Sequence, residues 1–348
     1  MYSIFVVKMS IVLEYIWLGG GNELRSKTRV LQWDLSSLDS KPFTVGDVPD
    51  WDYDGSSTNQ ATTASSEVIL KPKALYKNPL RKDVNGIGYL VLCAIYNSEG
   101  QPLSFRDSAV TIFNRGLEEL PWYGIEQEYF IYDATTNEPL GYNTGCQQGQ
   151  YYCSNGALNA FGRHIAEEHM EMCIQAGLTI SGINAEVAPG QWEYQIGPCV
   201  GIESGDQLWI SRFLLERVSE KYNVYINYGP KPIDSLNGSG CHTNFSTETM
   251  RNPGGLDKIY EAIGLLEKAH ESHMKVYGQD NERRLIGIHE TSSYDKFVSG
   301  KADRSASVRI GNNTIKNGCG YFEDRRPAAN MDPYLVTSYI FRTCCLDK

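Results

Sequence analysis

The stretch GIEQEYF at residues 124–130 constrains the chain more than any other. It sets two glutamates, Glu126 and Glu128, two residues apart in a strand-like run, and in a strand such residues leave on the same face. Two carboxylates held side by side repel, and burying them is costly unless a cation compensates. A second stretch, GINAEVAPGQWEYQIGP at 182–198, reads as a hairpin about Pro189 and Gly190. In that register Glu186 lies opposite Glu193, and Val187 opposite Trp192. Like charges directly opposite on paired strands are destabilising. One such pair alone reads as solvated surface, where most glutamates lie. Two pairs, each among apolar and aromatic residues, read as a surface built around metal ions.

Two further stretches extend this pattern. In NGSGCHTNFST, 237–247, His242 follows a glycine-rich loop, with Asn244 and Ser246 in alternation behind it. Gly238 and Gly240 allow close approach of backbone to a ligand. A neutral imidazole among carboxylates suits a divalent cation, and the excess of oxygen ligands favours magnesium or manganese over zinc. The C-terminal third adds NERRLIGIHETSS, KADRSASVRIGNN and GYFEDRRPAANMDPY, which set arginines 283, 284, 304, 309, 325 and 326 against Glu290 and Glu323. Guanidinium groups bind carboxylate or phosphate in a bidentate fork. Carboxylates for metals beside arginines for anions describe a site for phosphoryl transfer. No GxxxxGK[ST] loop and no kinase glycine loop is present, so another scaffold must hold the nucleotide.

The formal net charge of -10 argues against a nucleic-acid partner, since no Lys/Arg cluster is available to displace counterions. Nine cysteines without a CxxC pair read as free thiols of a reducing compartment. Lys8 and Glu14 interrupt the apolar N-terminal run and no small-residue cleavage site follows, so the expectation is a cytoplasmic protein with no membrane segment. Residues 12–97 are strand-rich, with VLEYIWL and IGYLVLCAIYN as strands and VPDWDYDGSSTNQATTASSE as loop. NSEGQPLS, 97–104, carries turn chemistry and marks a domain boundary. Beyond it, helices are expected at 107–120 with Asp107 as N-cap, at 157–177, after Gly205, and over 256–278.

With these residues the sequence resembles the eukaryotic type of glutamine synthetase. DWDYDGSST, GIEQEY, GINAEVAPGQWEYQIGP, NGSGCHTNFST, RRLIGIHET and GYFEDRRPAANMDPY occur in the family's order and spacing, from about residue 12 to the C-terminus. The resemblance implies an α+β protein: a small N-terminal β-grasp-like domain, 12–97, then a catalytic domain, 98–348, with a curved antiparallel sheet backed by helices. It implies ligation of ammonia to the γ-carboxylate of L-glutamate, driven by ATP through a γ-glutamyl phosphate, with two or more Mg2+ or Mn2+ ions per site. By motif, Glu128, Glu186 and Glu193 would hold one metal, and Glu126, His242 and Glu323 the other. Asn237, Gly238, Arg284, Arg304 and Arg325 would bind glutamate and the transferred phosphoryl group. Trp122, Asn244, Phe245, Ser246, Arg309, Tyr321 and Phe322 would surround ATP, with Glu126, Glu193, Gln195, Arg304 and Glu323 bordering it. Asp54 would take the proton of ammonium, and Glu290 would close the site against water. The implied assembly is a homo-oligomer of two stacked rings, a decamer, with Asp54 reaching a neighbouring subunit's site.

Several positions depart from the family pattern. The stretch before the first strand is short, RTCCLDK are the last residues of the sequence, and Ser235-Leu236 replaces a larger polar or aromatic pair before Asn237. The tyrosine loop of bacterial-type adenylylation is not recognisable. Two other functions compete: a relative joining glutamate to a larger amine, and a structural protein that has lost catalysis. The compact DWDYDGSST argues against the first, and the six intact metal-ligand candidates against the second.

Overall fold

The computed structural model describes residues 8–34, 42–81, 86–143 and 145–347. Residues 1–7 of the apolar N-terminal run lie outside the described residues. The chain divides into two compact units, residues 1–107 with 174–178, and the remainder. Among the described residues no helix is long and apolar enough to cross a membrane.

The first unit is a five-stranded sheet of β1 (Lys8–Leu18), β2 (Leu24–Asp34), β3 (Trp51–Asp54), β4 (Glu67–Lys77) and β5 (Gly86–Tyr96), in the order β2-β1-β5-β4-β3. β1 lies parallel to β5 and all other pairs are antiparallel. The period-two pattern of a strand is plain in β1, where Ile11, Leu13, Tyr15 and Trp17 join Val68, Leu70, Val91 and Ile95 in one core. One expectation fails here. WDYD is no loop but an edge strand, registered from Trp51 opposite Leu70 to Asp54 opposite Glu67. Pairing and the packing of Trp51 and Tyr53 against the core override the weak strand propensity of the aspartates.

The second unit is built on a nine-stranded sheet. It comprises β6 (Trp122–Asp133), β7 (Glu138–Pro139), β8 (Ile180–Ala185), β9 (Gln191–Val200), β10 (Val224–Asn227), β11 (Cys241–Ser246), β12 (Ser299–Lys301), β13 (Val308–Ile310) and β14 (Phe322–Asp324). The main path runs β12-β13-β14-β11-β6-β9-β8, while β7 and β10 pair with the far end of β6. All pairs are antiparallel except β12 with β13 at the edge. The helices are α1 (Arg106–Phe113), α2 (Arg163–Ala176), α3 (Ile202–Ser219), α4 (Gly255–Lys268) and α5 (Pro333–Phe341), with shorter turns between. Three of them differ in extent from the sequence expectation. Asp107 lies in the first turn of α1 rather than capping it, α2 begins six residues later, and α3 begins before Gly205. The expected single helix over 256–278 breaks at Ala269 into α4 and a short turn at His270–Met274.

β6 divides the unit's chemistry by residue parity. Its odd positions face helices: Tyr123 donates to the Thr337 carbonyl of α5 at 2.8 Å, and Gln127 meets Arg212 of α3. The Gln127 amide oxygen accepts from Arg212 Nε at 2.8 Å and Nη2 at 2.6 Å, and its nitrogen donates to Ala329 at 3.0 Å. Arg212 also donates to the carbonyls of Met331 and Ala329. Both side chains are buried, so Arg212 Nε depends on the Gln127 amide oxygen for its partner. Gln127→Leu should therefore cost about 2–3 kcal/mol by leaving the buried Nε of a charged guanidinium without its acceptor. Urea unfolding measures this, and a loss below about 0.5 kcal/mol would mean that water reaches Arg212.

Candidate active site

The even positions of β6 build the opposite face. Glu126 pairs with His242 of β11 on one side and Gln195 of β9 on the other. Glu128 lies directly opposite Glu193 of β9, which in turn lies opposite Asn184 of β8. Glu323 of β14 sits between Asn244 of β11 and Arg309 of β13. The 182–198 hairpin forms in a register two residues from the expected one. Glu193 faces Asn184, Trp192 faces Ala185, and Glu186 bonds through its N–H to the Gln191 carbonyl at 2.9 Å. A slip of two residues preserves the face of every side chain, so Glu186 still joins the acidic cluster.

One polar cavity gathers these groups. It is lined by Glu126, Glu128, Glu186, Glu193, Asn237, Gly238, His242, Arg284, Glu290, Arg304, Arg309, Glu323 and Arg325. Tyr152, Asn184, His289 and Thr291 line it too, and the sequence reading missed them. Asn184 carries a signal that could have been used, since it shares strand parity with Glu186. Tyr152, His289 and Thr291 sit on loops, where no periodicity points inward. Gly238 and Gly240 are required by crowding. A Cβ at Gly238 would stand 2.5 Å from both the Pro230 carbonyl and Arg284 Cγ, and one at Gly240 2.7 Å from His242 Nε2.

The electrostatics separate the carboxylates into two sets. Burial first, and then the neighbouring carboxylates, push Glu128, Glu186 and Glu193 up to about 8. Hydrogen bonds only partly offset this. Gly240 N–H donates to Glu128 at 2.9 Å, Asn184 to Glu186 at 3.1 Å, and the Gln195 amide to Glu193. Glu323, by contrast, is held by Arg325 and Arg309, each at 2.6 Å. The Nε atoms of both arginines are buried without a hydrogen-bond partner. His242 Nδ1 lies 3.5 Å from Glu126 and 3.4 Å from Glu323, and its Nε2 lies 3.8 Å from Glu128. Burial and the Arg325 charge hold this imidazole well below its usual range, so it is neutral at pH 7.

These observations bear on whether the residues fit divalent cations. Ligand atoms of Glu126, His242 and Glu323 lie within 4.8 Å of one another. Glu128, Glu186 and Glu193 form a second oxygen-rich group with no lysine or arginine ion pair among the described residues. Oxygen donors with one neutral imidazole suit a hard cation. The donor set fits.

Arg284 is anchored beneath the cavity, its Nη2 donating to the carbonyls of Arg325, Arg326 and Pro327. Arg304 Nη1 lies 3.4 Å from the Glu290 carboxylate, and Arg325 Nη2 is 3.3 Å from the Glu290 carbonyl. His289 and Glu290 both adopt left-handed backbone, φ 56° and 61°, an uncommon region for such residues.

A second, more apolar cavity of about 450 Å³ is lined by Trp122, Asn244, Phe245, Ser246 and Tyr321, together with Gly124, Pro198 and Arg251. The Arg251 guanidinium stacks over the Trp122 ring at 4.0 Å, a contact the sequence did not suggest. Gln195 lines neither cavity but holds Glu193 and Asn184. The Phe322 ring is buried against Phe245 rather than open to the cavity. Asp54 is carried by the other unit, at the end of β3, where Ser56 and Ser57 bond to its carboxylate and hold it below the usual range.

Residues 112–345 match the family described as glutamine synthetase, catalytic domain. The putative glutamine synthetase of Acanthamoeba polyphaga mimivirus is 56% identical over 96% of this chain and 94% of its own length. The cytosolic isozyme 1-2 of Oryza sativa is 50% identical over 97% of this chain and 94% of its own. The chloroplastic glutamine synthetase of Daucus carota is 49% identical over 97% and 78%. A solved GmaS/ADP complex shares the fold with TM-score 0.71 at 17% identity, covering 96% of this chain and 77% of that one.

The raised carboxylates make a stability prediction. Between their ordinary value and about 8 the folded protein holds protons that the unfolded chain has released, so stability falls as pH rises through that window. The metal-free Tm should drop by several degrees between about pH 6 and about pH 8, and millimolar magnesium should remove the drop. Calorimetry tests this, and a metal-free Tm flat across that range contradicts it.

Proposed function

The chain belongs to the glutamine synthetase family, and on that premise we propose that it joins ammonia to the γ-carboxylate of L-glutamate at the cost of ATP. The observation that carries this reading is the convergence of six carboxylates, two imidazoles and four arginines on a single cavity. A carboxylate is a poor electrophile, so phosphorylation to an acyl phosphate must precede attack by ammonia. Magnesium or manganese, held by Glu128, Glu186 and Glu193 and by Glu126, His242 and Glu323, would neutralise charge on the phosphates and the reacting carboxylate.

The chain's own residues carry the remaining work. Asn237 and Gly238 border the cavity as the glutamate loop, and Arg284 and Arg304 supply its cationic wall. Arg325 and Arg309, already poised at 2.6 Å from Glu323, present guanidinium groups to the transferred phosphoryl group and the nucleotide phosphates. The aromatic and polar lining of the second cavity, with Trp122 and Tyr321, suits an adenine ring. Glu290 closes the cavity and excludes water, which would otherwise hydrolyse the acyl phosphate. Asp54 accepts the proton released by ammonium, supplied to a neighbouring subunit in a two-ring homo-oligomer, a decamer. A cytoplasmic location accords with the cytosolic isozymes among its relatives.

Phosphate release that requires ATP, glutamate, ammonium and magnesium together tests the assignment. Purified, assembled protein that releases none would overturn it. Losing a supporting contact of a metal ligand costs about 10–100-fold, so Glu128→Gln, which removes a ligand charge itself, should lower kcat by more than about a hundredfold. The same change relieves repulsion with Glu186 and Glu193, so the metal-free Tm should rise. Loss of both activity and folding would instead make Glu128 a structural residue.

A further inference from the structure

The residues that follow Glu323 alternate in direction. Arg325 enters the cavity, while Arg326 is buried in the core behind it, 1% exposed. Arg326 forks onto Asp324, Nε to Oδ1 at 2.8 Å and Nη2 to Oδ2 at 2.7 Å. Asp324 also accepts from Tyr277 at 2.7 Å, so the pair is fixed in the core. The third arm of the guanidinium, Nη1, lies 3.0 Å from His270 Nδ1. A guanidinium can only donate, so Nδ1 must accept and the ring proton resides on Nε2. That nitrogen lies 2.9 Å from the Tyr294 carbonyl and donates to it.

Tyr294 stands at the neck of the segment that carries Glu290. Its N–H donates to the Leu285 carbonyl at 2.8 Å, and Ile286 bridges Ser293, so residues 285–294 form a closed loop. Phe297, just beyond, meets the His270 ring edge-on at 5.8 Å and lies 5.0 Å beneath the Arg326 guanidinium. At the other end of the loop, Arg325 Nη2 reaches the Glu290 carbonyl at 3.3 Å. The tip it holds contains the two left-handed residues His289 and Glu290.

We infer that His270 is a positioning residue for the Glu290 loop, and that Arg325 and Arg326 hold the same loop at its tip and its neck. Through His270, Arg326 fixes the neck on the buried side, while Arg325 fixes the tip on the cavity side. The strand that presents Glu323 thus also sets where the loop closes. Two consecutive arginines link metal-ligand placement to exclusion of water. This rests on the reading of the Glu290 loop as the shield of an acyl phosphate.

The test uses the assembled protein with two variants. His270→Phe keeps the ring against Phe297 and removes both polar contacts. His270→Gln can still donate to Tyr294. Glutamine formed per phosphate released should fall about twofold or more in His270→Phe, because a loose loop admits water, and His270→Gln should restore most of it. Hydrogen exchange over residues 286–296 should quicken in His270→Phe and return toward wild type in His270→Gln. General destabilisation would reduce the active fraction without changing the ratio. An unchanged ratio and unchanged exchange in His270→Phe would overturn the inference. Wild-type protein that makes no glutamine would refute the activity instead, and exchange alone would then decide the role of His270. If Glu290→Ala keeps one glutamine per phosphate while His270→Phe speeds exchange, the shielding role fails and the anchoring role stands.

Discussion

Repulsion among buried carboxylates is the constraint on which the second unit depends. Glu128 and Glu193 face one another on paired strands, the arrangement a sheet avoids when nothing cationic lies between. Such a face persists because the rest of the sheet over-determines it. β6 is paired on both sides along its length, and its reverse face is secured to helices through Gln127, Arg212 and Tyr123. The same strand alternates between a carboxylate that repels its neighbours and a neutral group that fastens the strand. The site is costly, and the reverse face stabilises it.

The two carboxylate groups meet that constraint differently. Glu323 has arginines on both oxygens, Arg325 on Oε1 and Arg309 on Oε2. Glu128, Glu186 and Glu193 have only amides and backbone N–H groups, which is why burial and mutual charge dominate them. A cation entering that second group finds carboxylates with no ion pair to break, whereas one approaching Glu323 competes with two guanidinium groups. The arginines that would contact phosphate are the ones engaged with Glu323. Turning them toward an anion and freeing Glu323 for a metal are therefore opposite sides of one rearrangement.

What could be read in advance was what depends on parity. Glu126 and Glu128 two apart, Glu193 and Gln195 two apart, and His242 and Asn244 two apart each follow from strand alternation, and all six lie on one sheet face. The hairpin about Gly190 lies two residues from the register its sequence suggests, yet its faces are the same because the period is two. A slip of one would have turned Glu186 into the core. What alternation does not govern was not legible. Tyr152 and Thr291 reach the cavity from loops, and Arg251 meets Trp122 across 129 positions of chain, so no local pattern announces either. WDYD reads as a turn because its aspartates are poor strand formers, and only pairing with β4 makes it a strand. The break at Ala269 has no glycine or proline to announce it.

That break has a structural consequence. His270 is the first residue of the short helical turn that follows Ala269, and from there its ring lies between Arg326 and Tyr294. In an unbroken helix, residues 266 and 270 would share one face one turn apart. Leu266 is fully buried, whereas His270 is partly exposed and bonded to a loop. The interruption lets the apolar face of α4 end in the core while the next residue turns to a polar task. His273, three residues on, goes back inward to Tyr277 and Thr343. The chain resumes at His270 with its imidazole placed so that a guanidinium fixes its tautomer and a loop carbonyl accepts its proton.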